Sequence, residues 1–250
     1  MKRAQKALRI TSFLIALGLI GFILFLANAL VGNPISAMIA KHKVEQYVNQ
    51  NYGSFDLELE NPDYNFKFGN YIVKVRSNSS QDTHFNIYYR NGKIVGDDYK
   101  MNVLEKYNTL ERLSNQYSII IRNVVEQMGY NDLGTRVSYN KDLTPKEKEL
   151  VKLDMDFDRN LPIDAEVWLD IELKEFTPSE IAKILKDCHK TFQEQGYNFK
   201  KYHFSSSKED IMVSVYSIPP KLIERDDFEE VLNKAQNEDG YEGIQLTIRK

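Results

Sequence analysis

The run Ile10 to Val31, ITSFLIALGLIGFILFLANALV, holds no charged residue in its 22 positions. A helix rises about 1.5 Å per residue, so this run would extend about 33 Å, close to the hydrocarbon thickness of a bilayer. Its few polar members, Thr11, Ser12 and Asn28, do not break that character. Lys2, Arg3, Lys6 and Arg9 stand before it without an acid, and the first charges after it are Lys41, Lys43 and Glu45. A cluster of positive charge tight against one end predicts that this end stays in the cytoplasm. The run therefore reads as a single-pass signal-anchor in the cell membrane. Residues 1–9 form a cytoplasmic tail, residues 10–31 the membrane helix, and the rest of the chain lies outside the cell. The alternative is a secretory signal cleaved after Ala29, because Ala27-Asn28-Ala29 has the small-x-small form. Against it, the apolar run is longer than a signal core and continues through Leu30 and Val31.

Charge narrows the partners. The chain nets −3, and the four positive charges of the tail leave −7 on residues 10–250. Nucleic acid needs a basic face, so it is not an expected partner. Fifteen Tyr and thirteen Phe supply enough apolar surface for real cores. Cys188 is the single cysteine, so no internal disulfide can form.

Asn33-Pro34 ends the apolar helix, and residues 35–52 read as a second one. Ile35, Met38, Ile39, Val44, Tyr47, Val48 and Tyr52 fall at helical spacing, and Gly53 follows. Strict alternation comes next, in four sets: Phe55 to Leu59, Tyr64 to Phe68, Tyr71 to Val75 and Phe85 to Tyr89. Asn91-Gly92 predicts a tight hairpin, because both central positions need positive φ. Residues 55–101 thus read as an antiparallel sheet with one buried face. A long amphipathic helix over 102–128 follows, so 35–133 reads as an α+β domain in the helix–sheet–helix order of cystatin-like folds.

Residues 134–250 read as a second α+β domain. Thr144 to Glu147 and Thr177 to Glu180 each have the form of a capping box with Pro at the first helical position. Leu153, Met155 and Phe157 alternate with acids as a strand does. So do Val167, Leu169, Ile171 and Leu173 against Glu166, Trp168, Asp170 and Glu172. Paired strands at 199–204 and 211–217 are expected to turn through Ser205 to Lys208. From about 165 onward the order is β-α-β-β-α-β, the ferredoxin-like pattern.

The chemistry-bearing feature is an acidic block. Nine acids and two bases lie between Asp154 and Glu180. Asp154-x-Asp156-x-Asp158 resembles the start of a calcium loop, but Arg159 and Ala165 stand where Gly and a bidentate Glu are needed. No metal site is expected there. Asp154, Asp156, Asp158, Asp170 and Glu172 are the candidate binding residues, as an acidic surface for a partner. Cys188 falls on an apolar helix stripe beside His189, which predicts a buried, inert thiol. No nucleophile elbow, phosphate loop or dinucleotide fingerprint occurs, and no catalytic residue or cofactor is expected.

The Lys/Arg-led apolar segment, Tyr89-Arg90-Asn91-Gly92-Lys93 and the long helix after Asp97-Asp98 together resemble the YfjL-like proteins of low-GC Gram-positive bacteria. The resemblance implies a single-pass membrane protein with two small domains, and it brings no catalytic residues. The expected function is a non-enzymatic binding or accessory module that holds an envelope protein or peptide. The alternatives are an envelope hydrolase working through carboxylates, and a sensor acting through a membrane partner.

Overall fold

A computed structural model describes residues 2–238 and 240–249. The chain forms two compact units, residues 1–104 and 105–250. Both mix helix and sheet.

The first unit begins with α1 (Lys2–Val31) and α2 (Pro34–Asn51). Every residue of α1 from Ile10 to Val31 is exposed, so nothing among the described residues covers its apolar surface. The two helices part at Gly32 and Asn33. Gly32 has φ +78°, and a Cβ there would stand 2.6 Å from the Tyr64 ring, so both its backbone angle and its surroundings require glycine. Asn33 caps α2, its side-chain oxygen accepting from the backbone N–H of Ile35 and Ser36, with Pro34 at the first position.

A five-stranded antiparallel sheet follows: β1 (Leu57–Leu59), β2 (Asp63–Asn65), β3 (Asn70–Ser77), β4 (His84–Arg90) and β5 (Lys93–Asp97). Tyr71, Val73 and Val75 on β3 lie opposite Tyr89, Ile87 and Phe85 on β4. That alternate set is buried, under Ala40, Val44 and Val48 of α2, each one helical turn from the next. The β4–β5 turn has Asn91 at φ +51° and Gly92 at φ +84°, the doubly positive pair that a two-residue hairpin demands. Asp97 ties the layers together. Its carboxylate accepts from Tyr47 (2.6 Å) and Tyr52 (3.0 Å) on one oxygen and from the Tyr99 backbone N–H on the other. A π-helical turn, Lys100–Leu104, closes the unit.

Two expectations change here. Ile35, Met38 and Ile39 are exposed, so only the later part of the α2 stripe meets the sheet. Phe66 and Phe68 are exposed as well, because the chain turns after Asn65 and the second alternating run ends there.

The second unit opens with α3 (Tyr107–Gln127). Placing the first domain's end at 133 is therefore corrected. Leu110, Leu113, Tyr117, Ile121 and Val125 of α3 join the core of the second unit, and the helix–sheet–helix first domain does not form. The reason is in the serine hydroxyls of α3 and the backbone of β6 (Arg136–Tyr139). Ser118 Oγ accepts the Val137 N–H (2.8 Å) and Ser114 Oγ the Tyr139 N–H (3.0 Å), so the helix satisfies the outer edge of this strand.

After the short helix α4 (Pro145–Leu150) come β7 (Ala165–Asp170), α5 (Pro178–Glu194), β8 (Lys201–Lys208), β9 (Ile211–Ile218), α6 (Pro220–Ile223), α7 (Phe228–Asn237) and β10 (Gln245–Arg249). The sequential order is β-α-β-β-α-β, but the sheet order is β10-β9-β8-β7-β6, with β7 and β8 parallel neighbours. A ferredoxin-like sheet splits that parallel pair with another strand. Here the pair is unsplit, so the ferredoxin-like expectation is corrected.

Thr144 and Glu147 form the full capping box. Thr177 caps the Glu180 N–H, but the Glu180 carboxylate turns to the backbone N–H groups of Lys174 and Glu175 instead. Ser205 to Lys208 continue β8, and the turn lies at Glu209-Asp210. Ser206 is buried there and accepts the Leu173 N–H at 3.0 Å.

Candidate functional site

The second sheet buries one face under its helices and leaves the other open. Along β7, Ala165, Val167 and Leu169 are buried, while Glu166, Trp168 and Asp170 are only half-buried. The pleat carries this alternation across the sheet. Cross-strand register puts Arg136 (β6) and His203 (β8) on either side of Trp168 (β7), so the three form one row.

The row is closely stacked. The Trp168 and His203 rings lie 3.7 Å apart and 4° from parallel. The Arg136 guanidinium carbon is 4.7 Å from the indole centroid, within cation–π range. Tyr216 of β9 leans in at 5.9 Å from Trp168 and 6.1 Å from His203.

A β-bulge makes this possible. The register of β8 and β9 shifts between Tyr202 and Phe204, so Tyr216 and Ser217 together face His203. Ser217 adopts φ +60° and donates its N–H to His203 Nδ1 at 3.2 Å. An Nδ1 that accepts leaves the ring proton on Nε2, which donates to Glu166 at 3.1 Å. Burial holds the His203 pKa below its ordinary value, although Glu166 pulls the other way. The ring is therefore a fixed neutral tautomer, held at both nitrogens. Glu166 also faces Lys201 at 3.6 Å.

The five predicted acids fall on two different stretches of the second unit. Asp154, Asp156 and Asp158 are exposed along an irregular segment, not a strand. Its alternation has another cause: Met155 and Phe157 pack against the core while the acids between them face water. Asp170 and Glu172 lie at the far end of β7. The Asp170 carbonyl oxygen accepts from Leu133 (2.7 Å), and its N–H donates to Thr135 Oγ1 (3.2 Å). The Glu172 carboxylate accepts from Asn131 (2.6 Å) and pairs with Lys208 (3.2 Å), which together hold its pKa below the ordinary carboxylate value. Glu172 lines a hollow of about 340 Å³ with Tyr130, Lys174, Glu180 and Lys208. Three of the block's nine acids are met by β8 and its approach, where Lys200 pairs with Asp164, Lys201 with Glu166 and Lys208 with Glu172. Among the described residues, no three His, Cys, Asp or Glu side chains gather as metal ligands do.

Cys188 is fully buried, and burial pushes its thiol pKa up. The neighbouring His189 is spent on Tyr202 (2.8 Å) and Glu224 (3.2 Å). The residues that sequence reasoning passed over are Arg136, His203 and Tyr216. The available signal was Trp168, the single tryptophan, standing on the wet side of a period-two strand among acids.

These features define a class: a long uncovered apolar helix leading into two small α+β units, the second with an open aromatic sheet face. The model of the YfjL-like N-terminal domain matches residues 6–99, and that of the YfjL-like C-terminal domain matches residues 116–233. The chain belongs to the YfjL-like family, carrying both of its domains. The gap between the two matches contains the Leu104–Glu105 division. No curated protein and no solved structure matches the chain.

Proposed function

We propose that this chain is a membrane-anchored binding module whose two domains lie outside the cytoplasm and whose second sheet holds an envelope protein or peptide. The observation that carries the reading is the Arg136–Trp168–His203 row. It is a half-buried Trp168 ring stacked on a buried His203 ring and flanked by a cation and a carboxylate, with both His203 nitrogens hydrogen-bonded before any ligand arrives. Aromatic groups already held in place lose little conformational freedom on binding, which is why they dominate binding surfaces.

The anchor reading rests on α1, which is long and apolar enough to cross a bilayer and is uncovered along its apolar length. Lys2, Arg3, Lys6 and Arg9 support a cytoplasmic N-terminus. Retention of the segment is supported by its end. The helix runs unbroken through Ala29, and Gly32 and Asn33 are packed and hydrogen-bonded to Tyr64 and Tyr71.

The test is crosslinking in intact cells followed by recovery of the tagged chain, comparing wild type with Trp168→Ala. The reading expects a discrete crosslinked partner with wild type and at least about a tenfold loss with the variant, as for a central aromatic anchor. Equal recovery by the two proteins, or a chain that never crosslinks, would overturn it.

A further inference from the structure

Five large apolar side chains near the end of α1 are exposed: Ile35 (66%), Met38 (68%), Ile39 (48%), Phe66 (65%) and Phe68 (60%). They come from two places. Ile35, Met38 and Ile39 lie three and four residues apart, on one face at the start of α2. Phe66 and Phe68 flank Lys67 in the turn between β2 and β3.

The chain fixes this turn against the end of the apolar helix. Tyr64 on β2 lies so close to Gly32 that no side chain fits between them. Tyr71 on β3, paired with Tyr64, accepts from the Asn33 N–H at 2.8 Å and donates to the Asn33 carbonyl at 3.0 Å. Gly69, the last residue of the turn, lines one hollow together with Asn28, Gly32, Ile39 and Arg90. The turn's last residue therefore lies beside the final helical turn of α1, where Asn28 stands.

We propose that the β2–β3 turn and the start of α2 form a wedge seated in the interfacial layer of the membrane that α1 crosses. This rests on the reading of α1 as an anchor. Apolar faces carrying Phe, Leu or Trp bury into the boundary between headgroups and acyl chains, and lysine and arginine there extend their charge to the phosphates. The cations are in place: the Lys67 ammonium lies 5.7 Å from the Phe68 ring, and Arg90 is exposed beside the hollow. The occupant of this surface is the lipid itself, contiguous with the lipid around α1. The wedge holds the first domain against the bilayer as a fixed base.

Depth-dependent fluorescence quenching tests this on the full chain in nanodiscs of phosphatidylcholine and phosphatidylglycerol. Trp168→Phe removes the native tryptophan, and a reporter is then placed by Phe68→Trp or, separately, by Leu19→Trp. Lipids brominated near the headgroup or near the chain end serve as quenchers. The proposal expects blue-shifted emission from the Phe68→Trp protein, quenched at least about twofold more by the shallow bromines than by the deep ones, with the opposite order for Leu19→Trp. Water-like, unquenched emission from Phe68→Trp beside strong quenching of Leu19→Trp would overturn the wedge and leave the anchor standing. Absence of quenching at both positions would overturn the anchor, and the wedge with it.

Discussion

The two units are held together by different physics. The second has a broad apolar core in which α3, α5 and α7 cover one face of a five-stranded sheet, with Phe192, Phe204 and Phe228 fully buried at its centre. The first buries a much smaller set beneath α2 and relies on hydroxyl groups at specific points: Tyr71 on Asn33, and Tyr47 and Tyr52 on Asp97. A core tolerates a lost methylene by partial collapse, whereas a point-like polar tie is either made or left unsatisfied. The first unit is therefore fixed in geometry without being strongly stabilised by volume, which suits a base beside an apolar helix. The second is suited to carrying a preformed surface.

The largest expected effect breaks the second unit alone. Phe192 touches both Phe199 and Tyr202, with centroids at 5.5 Å and 6.4 Å, and is fully buried. Phe192→Ala should cost about 3–5 kcal/mol, the usual range for removing a buried aromatic ring. Hydrogen exchange read by mass spectrometry should show lost protection in peptides from 110–250 and unchanged protection in peptides from 70–97. A loss of protection in both regions would mean that the two units do not unfold independently.

A smaller effect should break the first unit alone. Asp97→Ala removes the shared acceptor of Tyr47 and Tyr52, leaving two half-buried hydroxyls without it. The expected cost is about 1–3 kcal/mol, the loss of two hydrogen bonds at about 0.5–1.5 kcal/mol each. Protection should fall in α2 and β5 and hold across residues 110–250. If Asp97→Ala and Phe192→Ala cost the same, the contrast between polar ties and apolar core is wrong.

The contrast also explains what could be read from the sequence. Periodicity reports burial, and where burial is local it is legible. The Asn91-Gly92 hairpin, the Thr144 to Glu147 box and the alternating faces of β3, β4 and β7 all follow from spacing of a few residues. Partner choice is not local. The α3 stripe shows that one face is buried, but nothing in it says that Ser114 and Ser118 reach forward to β6 rather than back to the first sheet. The same limit hid the site. Trp168 was legible as a wet-face tryptophan, while Arg136 and His203 reach it through pairing across 32 and 35 positions of chain. The same limit applies to the acidic block: Lys200, Lys201 and Lys208, which pair with Asp164, Glu166 and Glu172, lie far along the sequence. Met155 and Phe157 show that period-two burial also arises in an irregular segment lying on a core.

The smallest effect sharpens the comparison at the one place where the second unit also depends on a polar tie. His203 accepts from Ser217 N–H at Nδ1 and donates to Glu166 at Nε2, with Arg136, Lys201, Trp168 and Tyr216 around it. Protonation would put a second donor opposite the Ser217 N–H, so the folded state disfavours the charged ring, in keeping with its lowered pKa. An unfolded histidine titrates near 6.5. Between that value and the lower folded one, the unfolded chain binds the extra proton. Stability from this ring is therefore fully present above about pH 6.5 and declines as the pH falls through the window below it. Urea unfolding at pH 7.5 and 5.5 measures the decline, and His203→Gln isolates it from the other three histidines, since glutamine cannot take up the proton. Wild type should lose more stability between the two conditions than the variant does. Equal losses would show that the stacked ring titrates as freely as an exposed one, and that the row on the open face is not held rigid through both of its nitrogens.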